Sequence, residues 1–397
     1  MSPFFKLSVA GFAATGIAYG PARMGFGLFL NEFRSAFSLS TTTAGIISGL
    51  GFAGFFIGLM IAYAATAKRG PRLPVLIGLF AASAGMGIVA MAPNVPVMAV
   101  GVILAMSSAG FAWSPYNNAV HQEVRDEMRP RSLSIVSTGT SLGVAIAGVV
   151  ALALIYAGVS WRIAWAIFAG AGVITFAGNW FAMENVAGNP GGRNRSGWKT
   201  LWDKSAWPLY AVALSFGITT TIFISFATDR VAQAGGLSGL PDRASPAVMF
   251  ITYGIVGLSG LTTSVIKEHI GLANLIRLLL VISATSLGLI AFTPNSWAGV
   301  LVASGLQGLF VMMMSAVLAF WSERLFPELP SLSFTATLLA VASGSVIGPA
   351  VAGFVSSAVS PDAMFMVAAA LSAITAAGVL PRLVKERGSD CEASAAE

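Results

Sequence analysis

The sequence predicts an all-α membrane protein of twelve transmembrane helices, built as two six-helix repeats. Three observations predict it. The chain has 397 residues, of which 56% are hydrophobic and only 10% charged, a balance that excludes a water-soluble domain. Its apolar runs are long enough to cross about 30 Å of hydrocarbon as helix. Matches between its two halves share one offset near 200 residues. A β-barrel would instead alternate apolar with polar over about ten residues, and these runs are apolar all round.

The first run begins near Leu7, follows Lys6 and continues past Arg23. It is too long and too charged for a cleaved signal core, so it is expected to be a retained span. Further spans begin near Thr41, Leu73, Val95, Ser132 and Ile163. A polar stretch at 184–206, rich in Gly, Asn and Arg, then separates them from six more, beginning near Pro208, Ala244, Leu272, Trp297, Ser331 and Ala363. The expected units are a first bundle at 1–183, a cytoplasmic linker at 184–206, a second bundle at 207–384 and a tail at 385–397.

Charge gives the orientation. With alternate loops taken as one side, 17 of the 22 Lys and Arg residues fall with the amino terminus, four fall opposite (Arg34, Arg162, Arg230 and Arg243), and Arg23 is inside a span. This asymmetry places both termini in the cytoplasm of a cell whose inner membrane holds the protein. The basic residues are scattered over short segments, so the net charge of +6 is a topology signal and no nucleic-acid surface. One cysteine, Cys391, and two loop histidines, His121 and His269, give neither a disulfide framework nor a zinc site. No cofactor is expected.

The halves match at Gly70 and Gly271, at Gly110 and Gly308, at Ser132-Leu133-Ser134 and Ser331-Leu332-Ser333, and at Gly148 and Gly348. Single glycine matches are cheap among 44 glycines, and the shared offset carries the weight. Such duplicated units are a transporter architecture, with the substrate site between the halves near the bilayer midplane.

Four places resemble the major facilitator superfamily, and the resemblance covers essentially the whole chain. The turn Ala67-Lys68-Arg69-Gly70-Pro71-Arg72 is similar to that family's acid-base-x-Gly-x-base loop, although Ala67 stands where the family has an acid. Glu268-His269-Ile270-Gly271 keeps the acid in the second half. The start of the sixth span, Trp161-Arg162 with Trp165, resembles the family's aromatic-arginine pair, and both tryptophans are expected at the membrane interface. Gly139, Gly143 and Gly148 in the fifth span, with Gly344, Gly348, Pro349 and Gly353 in the eleventh, allow close helix approach, either as static packing or as a hinge. Val144 stands where the family's antiporter motif has proline. The first span, Gly20-Pro21-Ala22-Arg23-Met24-Gly25-Phe26-Gly27, embeds an arginine among glycines.

The resemblance implies a secondary carrier working by alternating access, its central cavity lined chiefly by the first, fourth, seventh and tenth spans. Lys68, Arg69, Gly70, Arg72, Glu268, Gly143, Gly348 and Pro349 are the expected gating residues. With Ala67 in the first turn, Glu268 is the expected latch. All 16 acidic residues fall outside the spans drawn here, leaving Arg23 as the one ionisable residue well inside. Its helical stripe holds Gly16, Tyr19, Gly20 and Gly27, a small and polar face that should look into the bundle. A buried arginine costs about 2.5–3.5 kcal/mol on insertion scales and usually marks a pathway or finds a partner.

Arg23 is therefore the expected site for an anionic small molecule. Tyr19, Trp113, Asn117, Thr219, Tyr253, Gln307 and Trp321 are expected to share the cavity. The functional expectation is transport of a small organic anion, a monocarboxylate or related weak acid, by a monomer in the bilayer. Efflux of amphipathic compounds is the alternative within transport, and it calls for a membrane carboxylate. A non-transporting sensor is the alternative outside it. No nucleotide-binding motif supports primary pumping, and no buried histidine or acid pair supports an enzyme.

Overall fold

The computed structural model describes residues 2–184, 186, 200–241 and 243–384. Much of the expected linker, with Arg193, Arg195 and Lys199, lies outside them, as does the whole tail with Cys391. The described residues are helical, with no strand among them. Eleven helical segments are long and apolar enough to cross a membrane: Thr41–Arg69, Arg72–Met91, Val95–Glu123, Asp126–Tyr156, Trp161–Ala182, Lys204–Gln233, Ser245–Ile270, Leu272–Phe292, Trp297–Leu325, Leu332–Ala358 and Pro361–Gly378. They are the second to twelfth spans.

The first span is present but broken. It runs as Pro3–Tyr19, Pro21–Leu28 and Leu30–Phe37. Pro21 has no N–H to give to the preceding turn, and Gly20 leaves helical geometry at φ −77°, ψ −107°. Gly20 is tolerated because the fifth span approaches so closely: a Cβ there would lie 2.6 Å from the Gly143 carbonyl carbon. The break therefore sits immediately before Arg23.

Backbone polar groups are satisfied within the helices, and Ser and Thr hydroxyls mostly return to their own helix, as hydrocarbon requires. Thr15, Thr221, Ser304 and Ser345 all donate to a carbonyl four residues earlier. The repeat is visible in backbone geometry. Gly70 and Gly271 end the second span and the eighth with φ of 78° and 79°, each donating to the carbonyl four residues back. Left-handed φ at both turns explains why glycine stands at both.

Helices pack in matching pairs. The first span lies on the fifth and the seventh on the eleventh; the third lies on the sixth and the ninth on the twelfth. The first six spans meet the last six along two seams, second against eleventh and fifth against eighth. Glycines make both seams close. A Cβ at Gly45 would lie 2.5 Å from the Pro349 carbonyl oxygen, and one at Gly254 would lie 2.5 Å from that of Ser141.

Candidate functional site

Polar contacts between the first six spans and the last six gather in the half of the bundle remote from the termini. Thr228 of the seventh span donates to the Gly27 carbonyl at 2.6 Å. Ser48 and Ser225 share a hydrogen bond of 2.6 Å, and Thr42 and Ser357 one of 2.9 Å. Gly27 packs so tightly on Ile224 that any Cβ would overlap the Ile224 carbonyl oxygen. The remote end is therefore closed by direct contact of the first and seventh spans.

An ion pair reinforces that closure. Arg34 Nε lies 3.0 Å from Asp229 Oδ1, with the aspartate side chain 4% exposed and the arginine 24%. The Nε–H is not aimed at that oxygen, so the attraction is Coulombic, while Gln233 donates to Asp229 Oδ2 at 2.9 Å. Arg34 also bonds Thr41. This corrects the expectation that no acid lies in the spans. Asp229 is inside the helix Trp207–Gln233, and Glu32 is buried in Leu30–Phe37 with Oε2 unpartnered. In the sequence a charge near the end of an apolar run reads as its boundary, so both acids fall outside the runs.

One turn below Gly27 stands Arg23. Its guanidinium carbon lies 4.7 Å from the Phe55 ring centroid and 5.4 Å from those of Phe52 and Tyr19. Its Nε is buried without a hydrogen-bond partner, and among the described residues no carboxylate pairs with it. The eighth span touches the Pro21–Leu28 segment, and the hydroxyl of its Tyr253 is likewise buried and unpartnered. Residues of both halves thus converge below the closed end, three rings and a cation from one and a phenol from the other.

The seventh span presents Thr220 to this region. Thr220 shares a stripe with Ile224, which touches Gly27, and its buried hydroxyl has no partner. Thr219, the expected residue, is also buried, but its hydroxyl is satisfied within its own helix, donating to the Ser215 carbonyl at 2.9 Å. The threonine triplet was legible in the sequence; which member faces the axis was not.

Gln307 and Trp321 belong to the tenth span. Gln307 shares its helical stripe with Ala303, whose carbonyl accepts from Ser286 of the ninth span, and with Phe310, whose ring is 5.4 Å from that of Phe216. Its amide is fully buried with neither atom bonded, on the side turned into the second half. Trp321 is on the same stripe and fully buried. Trp113 and Asn117 are on the half-exposed side of Trp113–Glu123, beside Ser114 and Asn118, while Pro115, Tyr116, Ala119 and Val120 are buried. A half-exposed stripe this polar is costly against lipid, which favours a face turned into the bundle, although Asn117 Oδ1 is itself buried without a partner.

The expected gating residues divide. Gly143 packs on Gly16 within the first half and Gly348 on Ile218 within the second, whereas Pro349 lies on the seam with Gly45. Arg72 is engaged with the sixth span, donating to the Trp180 carbonyl at 3.2 Å with its charge 5.1 Å from that ring. Lys68, Arg69 and Glu268 are exposed. Trp165, expected at the membrane interface, is instead buried, its ring centroid 6.0 Å from that of Phe29 and 5.9 Å from that of Phe33. Among the described residues no group of His, Cys, Asp and Glu has metal-site geometry.

Known proteins agree with this architecture. Solved structures of the nucleoside transporter NupG superpose with TM-score 0.70 at 14% identity, covering 96% of this chain and 98% of that one, and a mutant of the same protein gives 0.72 at 13%, covering 95% and 99%. A bacterial homologue of the human lysosomal transporter Spinster, solved in an inward-facing and unoccupied conformation, gives 0.67 at 16%, covering 96% and 93%. At such identities the likeness shows the fold alone. No curated protein matches the sequence. The profile of the Major Facilitator Superfamily matches residues 11–272. With two thirds of its length matched and the fold shared, this multi-pass membrane protein belongs to the major facilitator superfamily.

Proposed function

We propose that the chain is a secondary transporter of a small organic anion, with Arg23 as the group that receives the negative charge. The observation that carries this reading is an arginine at membrane depth, below a closed end, with a buried unpartnered Nε and no carboxylate beside it. A cation so placed is stabilised only partly by ring faces. A carboxylate ligand completes it, because the planar fork offers two parallel charge-assisted hydrogen bonds.

Closure at the remote end and a half-exposed polar stripe in the fourth span support a state open toward the termini. The basic loops support a reading with both termini in the cytoplasm of an inner membrane. Transport then requires the Gly27–Ile224 contact to part while the opposite ends converge, with the seams as pivots. The chain works as a carrier and not as an enzyme.

The test is uptake into proteoliposomes and ligand-induced thermal stabilisation, measured for wild type, Arg23→Lys and Arg23→Gln against monocarboxylates and a nucleoside, the cargo named for NupG. Both variants are expected to fold and to lose carboxylate binding. Unchanged carboxylate affinity in Arg23→Gln sinks the reading.

Asp229 favours a second reading, efflux of amphipathic compounds in exchange for protons, because that mechanism needs a membrane carboxylate. Under it Asp229→Asn abolishes transport and Arg23→Gln does not. A non-transporting sensor would bind ligand yet show no counterflow of labelled against unlabelled solute.

A further inference from the structure

The surroundings of Arg23 restrict which anion can fill the site, an inference that rests on the reading of Arg23 as the anion site. Three ring faces from the first half wrap the cation, that of Phe55 closest at 4.7 Å. From the second half, the rings of Phe223 and Phe250 each lie 6.4 Å from that of Tyr253, on the helix Ser245–Gly257 that touches the Arg23-bearing segment Pro21–Leu28. The region below the closed end is therefore walled by rings on both sides.

Near Arg23 the buried unpartnered groups are the hydroxyls of Thr220 and Tyr253 and Nε of Arg23 itself; Asn117 Oδ1, also unpartnered, lies seven residues beyond Gly110, which packs on Phe55. A polyhydroxylated ligand would bury more donors and acceptors than these can satisfy. A second carboxylate would gain no free cation from the two arginines above Arg23 on the first and seventh spans, since Arg34 is held by Asp229 and Arg230 by Asp362, at 2.7 Å. What remains favourable is a single negative group on Arg23 and a flat apolar body against the rings, where offset or edge contacts add to plain burial.

We propose that the ligand is a monocarboxylate with a planar apolar body, an aromatic or conjugated acid, in preference to short aliphatic acids, dicarboxylates or hydroxy acids. The full-length protein in lipid nanodiscs is titrated with benzoate, acetate, terephthalate, lactate and benzamide, in wild type, Arg23→Gln, Phe55→Leu and Phe223→Leu. Folding of each variant is checked by circular dichroism and elution volume.

Benzoate is expected to bind about 10-fold more tightly than acetate, lactate or terephthalate, the size of one to two ring contacts, with benzamide silent. Either Phe→Leu change should bring benzoate to within about 3-fold of acetate by removing one such contact; two ring variants, on different halves, guard against one failing to fold. Equal binding of acetate, lactate, terephthalate and benzoate, all lost in Arg23→Gln, overturns the preference for a planar body and leaves the anion site standing. Benzoate and benzamide binding alike, and untouched by Arg23→Gln, overturns both.

Discussion

Two arginines of the first span, Arg23 and Arg34, sit eleven positions apart in different electrostatic company. Arg34 has an aspartate from the seventh span at 3.0 Å and a threonine beside it. Arg23 has three rings and a buried Nε with no partner. Both residues bear on the junction between the halves, yet only one charge is neutralised. The difference separates two tasks. A neutralised pair across a contact holds two surfaces together, and a cation left short of a partner is held ready for a ligand that supplies one.

The sharpest way to break this comparison is to remove each charge in turn. Arg23→Gln should weaken binding of the anion by about 100-fold, near 2.7 kcal/mol, the size of a lost charge-assisted pair. Arg34→Gln should leave affinity measured from the terminal side within about 3-fold, since it touches no ligand. Isothermal titration on both variants decides it. Equal losses would mean that the two arginines form one electrostatic unit.

Gly27 offers the next largest effect. A Cβ there overlaps the Ile224 carbonyl, so Gly27→Val cannot close the remote end without moving the first span away from the seventh. Transport should fall by at least about 10-fold, the order expected when a packed interface is forced apart by more than 1.4 kcal/mol. A cysteine placed at Thr228 should gain reactivity toward a membrane-impermeant thiol reagent added from the remote side. Unchanged transport and labelling would show that the contact is not a gate.

How much of this was legible in the sequence depends on the kind of force involved. Twelve spans follow from apolar length, and the paired turns at Gly70 and Gly271 from the repeat, because both are local in the chain. Arg23 stood out because a charge in an apolar run is rare. Asp229 was lost for the same reason: a charge near the end of a run reads as its boundary, and only its partner Arg34, 195 positions away, makes burial affordable. Thr220 against Thr219, and the inward turn of Gln307, depend on helix rotation within a bundle. In spans apolar all round, no moment in the sequence reports that rotation. The aromatic wall from Phe52 and Phe55 was missed because phenylalanine in a membrane helix is ordinary core until a cation is found over its face.

A smaller effect sharpens what the Arg34–Asp229 pair is for. Arg230 and Asp362 form a pair of similar length, 2.7 Å, but both partners belong to the last six spans. Breaking the pair across the halves should shift the conformational equilibrium. Breaking the pair within one half should not. Asp229→Asn is expected to move the population toward the remote-open state by about 5- to 30-fold, 1–2 kcal/mol, and Asp362→Asn by less than 2-fold. Spin-label distances between labelled cysteines placed together at Ala36 and Ala234, neither of which bonds the pair, report the opening. The double variant Arg34→Gln with Asp229→Asn should be less than additive if the two act through each other.

The smallest expected effect concerns the other end of the bundle. The turns at Gly70 and Gly271 have the same backbone, so what distinguishes them is the side chain three positions earlier, Ala67 in one and Glu268 in the other. Glu268 is exposed and, among the described residues, has no ion pair. It sits at the carboxyl end of its helix, where the macrodipole disfavours an acid, so it gains from a cation brought to it. The eighth span packs on the fifth, and the terminal end of the fifth carries Arg129 and Arg131. Arg129 is already held by Asp126 at 2.5 Å and by the carbonyls of Val124 and His121. Among the described residues Arg131 has no ion pair, and its charge lies 6.0 Å from the centre of the Phe4 ring. When the terminal ends converge, Arg131 is therefore the cation that Glu268 should meet. Because an exposed pair of this kind is weak and screened, Glu268→Gln should slow exchange by only about 2- to 5-fold, with the effect fading at high salt. Charge reversal at both positions, Glu268→Arg with Arg131→Glu, should restore the rate. Ala67→Asp should add a comparable latch to the first turn. If Glu268→Gln is silent while Ala67→Asp alone shifts the equilibrium, the second turn is not the latch and the acid is there for topology alone.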